Sequence, residues 1–322
     1  MMNCRLPGNR QGGFSMIELL VSLLVATIII MGVYRFLTGS HRSFTFTKAN
    51  DNVNRTMMVS NRTMSNYMKL AGFRNYRRVI DNITFDKETV NFGKGDIVFP
   101  RNTFIMGNSS GLTIPAVDAT PNDILYIRYF GSSVDDDLSE KTVASAEVTA
   151  AKRMPNNRMY DCQGNFLHRM QEAFLMLYVT NDDEGRKGLI CRQVIRDFTD
   201  AGGHTDSEPE VIELNPNVIS ILFGYRVDGD ESFHLASEVE SADASGIKMS
   251  SSNFELVNAL RYGILVKQDT HQKVTRTTNA QEFHMLGFPT DDDLANIAAN
   301  ETDIYQLVSG ILFMRNRFIE DE

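Results

Sequence analysis

Apolar and polar positions divide this chain sharply. Residues 12–36, GGFSMIELLVSLLVATIIIMGVYRF, are apolar almost without interruption, and the one acid among them is Glu18, near the start. As a helix, residues 14–34 would extend roughly 30 Å, about the thickness of the hydrocarbon layer of a bilayer. After Arg35 the chain turns polar but keeps a helical period, with Val53, Met57, Met64, Met68 and Ala71 recurring at spacings of three, four and seven and Leu70 and Phe73 widening the stripe. No proline falls between Pro7 and Pro100. The pattern predicts one long helix over 15–70, its first half suited to lipid and its second to packing on a folded domain. Gly72, with basic residues around it, reads as the C-cap.

Downstream, β-branched and aromatic residues gather in segments bounded by Gly, Asp, Asn and Pro. Strands are predicted over 123–130, 173–181, 188–195, 217–230, 258–269 and 305–318. Two polar, acidic stretches, 131–157 and 230–253, read as surface excursions. A long N-terminal helix laid against antiparallel sheet makes the fold class α+β.

Composition narrows the chemistry. With 42% hydrophobic and 23% charged residues the chain has the makings of a real core. A formal charge of -9 and the lack of a basic cluster argue against a nucleic-acid-binding face. The six histidines are scattered singly, and no phosphate loop, nucleophile elbow or zincin motif occurs, so neither an enzyme activity nor a cofactor or metal is expected. VDGDES at 227–232 lacks the later ligands of a calcium loop and reads as a turn on Asp228-Gly229. The acidic triplets at 135–137 and 291–293 read as solvated faces.

Glu18 needs a reason, because a carboxylate buried in lipid costs a few kcal/mol unless something pairs with it. Arg5 and Arg10 precede the apolar run with no acid among them, which fits a cytoplasmic N-terminal end and places the bulk of the chain outside. A secretory signal carries a shorter apolar core followed by a small-residue cleavage site, whereas here the small pair Gly12-Gly13 comes first. Cleavage after Gly13 would leave Phe14 with a free amine, one helical turn from Glu18. The same amine on a neighbouring chain could meet Glu18 when helices pack side by side, and the charge would then set the register of assembly.

These residues resemble the class III signal of type IV prepilins and pseudopilins: Gly13, then Phe14, then Glu18 at the fifth mature position of an unbroken apolar run. The resemblance implies cutting after Gly13 by a membrane prepilin peptidase that also methylates the Phe14 amine. It divides the chain into a leader (1–13), a membrane or filament-core helix (14–38), an amphipathic helix (39–72) and a periplasmic β-rich domain (73–322), a pilin-like arrangement. The helix ending in KLAGF, the segments NVISILFGYRVDGD and FELVNALRYGILV, and the closing FMRNR are similar to minor pilins of the PilW family, although Gly224-Tyr225 inverts the order that family shows.

Removal of the leader would take Cys4 with it and leave Cys162 and Cys191 to pair in an oxidising periplasm. The contexts YDCQGN and GLICRQ also look like the paired cysteines of PilW-type proteins. The resemblance further implies a structural subunit of a priming or tip complex at the inner membrane and then the pilus tip. Its partners would be the peptidase, other minor pilins and the major pilin, the inner-membrane assembly platform, membrane lipid and a PilY-type tip adhesin. A minor pseudopilin of a type II secretion system shares the signal and helix and stands as the alternative. An anchored enzyme or DNA-uptake binder is the reading from a different class.

Overall fold

Helix α1 spans Met16–Leu70, the long helix that the hydrophobic pattern predicts. The computed structural model describes residues 15–74, 86–93, 95–108, 123–133, 153–181, 187–199, 203–240, 253–269, 281–284, 286, 294–297 and 303–314. The helix runs through two compact units, the first ending at Ala49 and the second starting at Asn50. In the first unit the most apolar 18-residue window has a mean hydropathy of 2.6 and no side chain in it is buried. In the second, one stripe of α1 is covered: Val53, Ser60, Met64, Tyr67, Met68 and Ala71 are buried and Met57 is half-buried. Within that stripe 53, 57, 60, 64, 67 and 71 alternate steps of four and three, the spacing that keeps one helical face toward a core. Gly72 ends the helix at a φ of 68°, a conformation that suits glycine, and a Cβ there would lie 2.7 Å from the Phe104 ring.

Thirteen strands follow among the described residues. They are β1 (Glu88–Asn91), β2 (Asp96–Phe99), β3 (Ile105–Asn108), β4 (Ile124–Phe130), β5 (Gln171–Asn181), β6 (Lys187–Phe198), β7 (His204–Asp206), β8 (Glu210–Pro216), β9 (Val218–Val227), β10 (Val257–Asp269), β11 (Gln281–His284), β12 (Leu294–Ile297) and β13 (Asp303–Phe313). A short helix α2 (Ala236–Glu240) and a 3-10 turn (Asn253–Leu256) lie between β9 and β10. All pairings are antiparallel. One sheet has six strands in the order β3-β4-β5-β6-β7, with β8 also on β6; another runs β13-β10-β9; β1-β2 and β11-β12 are separate pairs. The architecture is α+β and pilin-like.

The six-stranded sheet is covered on both faces. Side chains alternate along a strand, so Tyr126, Phe174, Val194 and Arg196 share one face and Leu125, Tyr129, Leu177 and Cys191 the other. The β1-β2 pair lies over the first face, where the Phe99 and Phe174 rings sit 5.2 Å apart. The last turns of α1 and the 153–170 segment lie over the second, where Tyr67 meets Tyr160 at 6.0 Å and the Tyr129 hydroxyl donates to the Tyr160 carbonyl at 2.6 Å. This double covering explains why β4 is buried at every position and reads as a continuous apolar run.

Two segments expected on the surface are partly built into the fold. Gly131, Ser132 and Ser133 are buried, and Asn156 ties the far end of the excursion back to them through Ser132 Oγ (2.8 Å) and the Ser133 carbonyl (3.2 Å). In the second stretch α2 buries Ala236 and Val239. Polar side chains misled the reading because at these places they serve as internal hydrogen-bond partners. Residues 134–152, which include the first acidic triplet, residues 241–252 and the second triplet at 291–293 lie outside the described residues. The Asp228-Gly229 turn exists, but it returns the chain only to a single bridge between Tyr225 and His234 before α2.

Candidate functional site

The residues singled out at the N-terminus fall on either side of the described boundary. Gly13 and Phe14 lie outside it. Ser15 is the first described residue, and its backbone N–H donates to Glu18 Oε2 at 3.1 Å. A serine before the first turn with a glutamate three residues on is the arrangement of a capping box, and the carboxylate also faces the positive end of the helix dipole. Glu18 therefore satisfies one donor at the start of its own helix. Farther along, Ser22 Oγ and Thr27 Oγ1 donate back to the Leu19 and Leu24 carbonyls at 2.9 and 2.8 Å. Their hydroxyls are thereby satisfied inside the helix, which suits an apolar surrounding. Met16, Leu20, Leu24, Ile28, Ile30 and Phe36 are each more than 60% exposed, leaving a broad apolar surface for lipid or other helices.

In the second unit Cys162 and Cys191 are joined by a disulfide, with their Cα atoms 6.3 Å apart. The bond fastens the loop 153–170 to β6. Around it Asp161 accepts from the Gln163 and Asn165 backbone N–H groups (2.9 and 2.8 Å) and from Asn165 Nδ2 and Gln193 Nε2 (3.1 and 3.2 Å). Gln193 Oε1 in turn accepts from the Cys162 N–H at 2.7 Å. Every oxygen of the buried Asp161 carboxylate is thus used, and the loop is fixed before the disulfide is considered.

The buried ionisable groups lie elsewhere. Arg128 Nε donates to Glu172 at 2.8 Å with both side chains essentially fully buried. Phe174 lies between two guanidinium groups, Arg128 at 5.6 Å and Arg196 at 5.1 Å from its ring centre. Arg196 grips Asp206 through two bonds of 2.7 and 2.9 Å and also pairs with Glu88, which fastens β1 to the sheet. Burial raises the Glu172 pKa, and Arg128 opposes it. Asp123 is pushed up to about 7 by burial, against the lowering effect of one backbone bond from the Phe223 N–H. At 230–238, His234 Nε2 is 2.7 Å from Asp230 Oδ2 and its Nδ1 is 3.5 Å from Glu238. The same Nε2 lies 3.2 Å from Ser232 Oγ, and the Ser232 hydroxyl and backbone N–H both donate to Asp230 Oδ1, so the three side chains clasp the turn on one another. Among the described residues no group of three or more metal-ligating side chains converges.

Sequence reasoning missed the polar contacts that seat the helix. Asn215 Nδ2 donates to the Thr56 carbonyl at 3.0 Å and to Ser60 Oγ at 2.5 Å, and the Tyr262 hydroxyl donates to Asn61 at 2.5 Å. The only signal available was a serine in the apolar stripe.

A family model for the prokaryotic N-terminal methylation motif matches residues 8–34. That match supports a type IV pilin-like, class III signal. It covers Gly13, Phe14 and Glu18 and the start of the exposed apolar helix, and so supports a type IV pilin or pseudopilin, a structural class that a prepilin peptidase processes and that assembles with other pilins. The apolar helix and the motif together fit membrane anchoring. Neither a curated protein nor a solved structure matches the chain.

Proposed function

We propose that the protein is a minor pilin of the type IV pilus, of the PilW type, assembled through α1 into a priming or tip complex. The observation that carries this reading is the division of a single helix. Its first part presents a fully exposed apolar surface behind a processing motif, and its last turns are built into a folded β-rich domain. Processing after Gly13 removes residues 1–13 and exposes the Phe14 amine. In the inner membrane α1 is solvated by lipid with the β-rich domain on the periplasmic side. During assembly the same surface packs on neighbouring helices, and Glu18 meets the Phe14 amine of an adjacent subunit and fixes the stagger. The length of the folded domain and its cysteine pair favour the pilus over a type II secretion pseudopilin. Contacts with other minor pilins, the major pilin, the assembly platform and a PilY-type adhesin belong to this proposal.

Mass spectrometry of the protein from native membranes is expected to find N-methylated Phe14 as the first residue; a start at Met1 in cells with a working peptidase would overturn the reading. Glu18→Ala is expected to leave cleavage largely intact while piliation falls, and normal piliation would sink the register role. A deletion strain is expected to lose twitching motility with exoprotein secretion preserved. Loss of secretion with intact pili would place the protein among the pseudopilins instead.

A further inference from the structure

Between Glu18 and Asp51 the chain carries no acid, and its fixed charges there are all cations: Arg35, Arg42 and Lys48. Distance from the apolar span sorts them. Arg35 follows directly on Tyr34, where roughly 30 Å of helix, the thickness of the hydrocarbon layer, is complete. Arg42, seven residues on, lies on the same helical face and about 10 Å farther out, within reach of a long side chain that bends back toward the headgroups. Lys48 is about 20 Å beyond Arg35, roughly two Debye lengths at physiological salt, and contributes little. Arg5 and Arg10 suit retention of the other end of the span, and cations on this side work against that orientation, so topology does not explain them.

A shallow groove on the same stretch of α1 is lined by Arg35, Phe36, Gly39, Ser40, Ser43 and Phe44. Gly39 has no side chain to fill it, and the Phe36 and Phe44 rings beside it are exposed. The hydroxyl groups of this stretch divide in two. Thr38 donates to the Tyr34 and Arg35 carbonyls at 3.0 Å, and Thr45 and Thr47 donate to the His41 and Ser43 carbonyls at 2.9 Å, so all three are satisfied by their own helix. Among the described residues the Ser40 and Ser43 hydroxyls make no such bond, and the Arg35 and Arg42 guanidinium groups pair with no carboxylate. One cation and two free hydroxyl donors therefore line the groove, with a second cation two turns along the helix.

We infer that this groove seats the headgroup of an anionic phospholipid from the leaflet out of which α1 emerges. The phosphate pairs with the Arg35 guanidinium, Arg42 adds charge from outside, and Ser40 and Ser43 donate to the phosphate or glycerol oxygens. The inference rests on the reading that the apolar half of α1 lies in a membrane, and it deepens that reading by naming the lipid. Charge complementarity selects this occupant: the cations begin where the hydrocarbon ends, which is the level of the phosphates. A second copy aligned on this stretch would bring the same cations to the contact, and like charges repel. Tyr34, exposed at the end of the span, is a residue type that settles at the same level.

The test reconstitutes the full-length chain in phosphatidylcholine vesicles that carry a trace of spin-labelled phosphatidylglycerol or spin-labelled phosphatidylcholine. Electron paramagnetic resonance reads the fraction of each label immobilised on the protein. A preference for phosphatidylglycerol of about threefold is expected at low salt, weakening at about 0.5 M salt. Arg35→Gln with Arg42→Gln should cut that preference at least about twofold and leave phosphatidylcholine contact unchanged. Ser40→Ala with Ser43→Ala should lower it by less. Arg62→Gln, far from the span on the same helix, is the control, and the leader cations are common to every variant. Inorganic phosphate at equal ionic strength should leave the preference in place. No preference in the parent, indifference to the arginine pair or to the serine pair, an equal effect of Arg62→Gln, or displacement by free phosphate would each overturn the lipid as occupant. A chain whose apolar helix did not enter the bilayer would immobilise neither label, so failure of the membrane reading is distinguishable from failure here.

Discussion

Asn215 and Ser60, 155 residues apart in sequence, meet side chain to side chain beneath the helix, and the same Asn215 amide nitrogen also holds the Thr56 carbonyl. A polar residue at the end of β8 thereby fixes the rotation of α1 against the domain, where apolar packing alone would tolerate sliding. Asn215→Ala leaves a buried hydroxyl and a carbonyl without their donor and is expected to cost about 1–3 kcal/mol. The chain has no Trp, so the shift is read as a lower urea midpoint by circular dichroism or tyrosine fluorescence. An unchanged midpoint would show that water replaces the amide without loss.

The Arg128–Glu172 pair should behave asymmetrically. Glu172→Ala strands a buried guanidinium and is expected to destabilise the protein by about 3–5 kcal/mol, whereas Arg128→Met combined with Glu172→Leu should cost much less than the single change. Equal losses in denaturant unfolding would contradict the view that the stranded charge sets the penalty.

The disulfide closes a loop of 29 residues in sequence separation. Replacing both cysteines with alanine is expected to lower stability by about 3 to 4 kcal/mol, the loop-closure entropy restored to the unfolded chain. Because Asp161 and Gln193 hold the loop independently, the variant should still fold, with its amide exchange near residues 160–166 faster than in the parent.

Asp123 gives a pH dependence with a definite sign. Its folded pKa, about 7, lies above the value of roughly 3.9 for a free aspartate, so the fold favours the protonated acid. The associated stability is fully present below pH 4 and lost as pH rises through about 7. Asp123→Asn keeps an acceptor for the Phe223 N–H without the charge. The variant should gain on the parent by a few kcal/mol between pH 5 and pH 8. A difference that stays flat with pH would mean that Asp123 is ionised in the fold.

Much of the architecture was legible in the chain because it depends on local pattern. The long helix, its end at Gly72 and the strands β4, β5, β6, β9, β10 and β13 announce themselves through period, β-branched content and turn residues. The short strands β1, β2, β3, β7, β11 and β12 did not, since three or four residues carry too little pattern to separate from loop, and β8 was missed as well, seven residues that follow Pro209 and end on Pro216. Ser132, Ser133 and Asn156 were read as surface because their polarity says nothing about whether the partner is water or protein.

The sequence by itself determined that the first 36 residues hold a processing-type motif and an apolar helix, that the helix continues in amphipathic form to Leu70, and that antiparallel β follows. Each of those features follows from neighbours in the chain, whose spacing fixes a period or a charge. Only the tertiary structure decided which polar residues are buried, that Arg128 and Arg196 enclose Phe174, that Asp123 closes one sheet edge, and that β13 carries no strand on its other side among the described residues. Those depend on residues brought together from different strands, tens of positions to about a hundred apart, or on what lies beside a strand in space, and no local pattern encodes either.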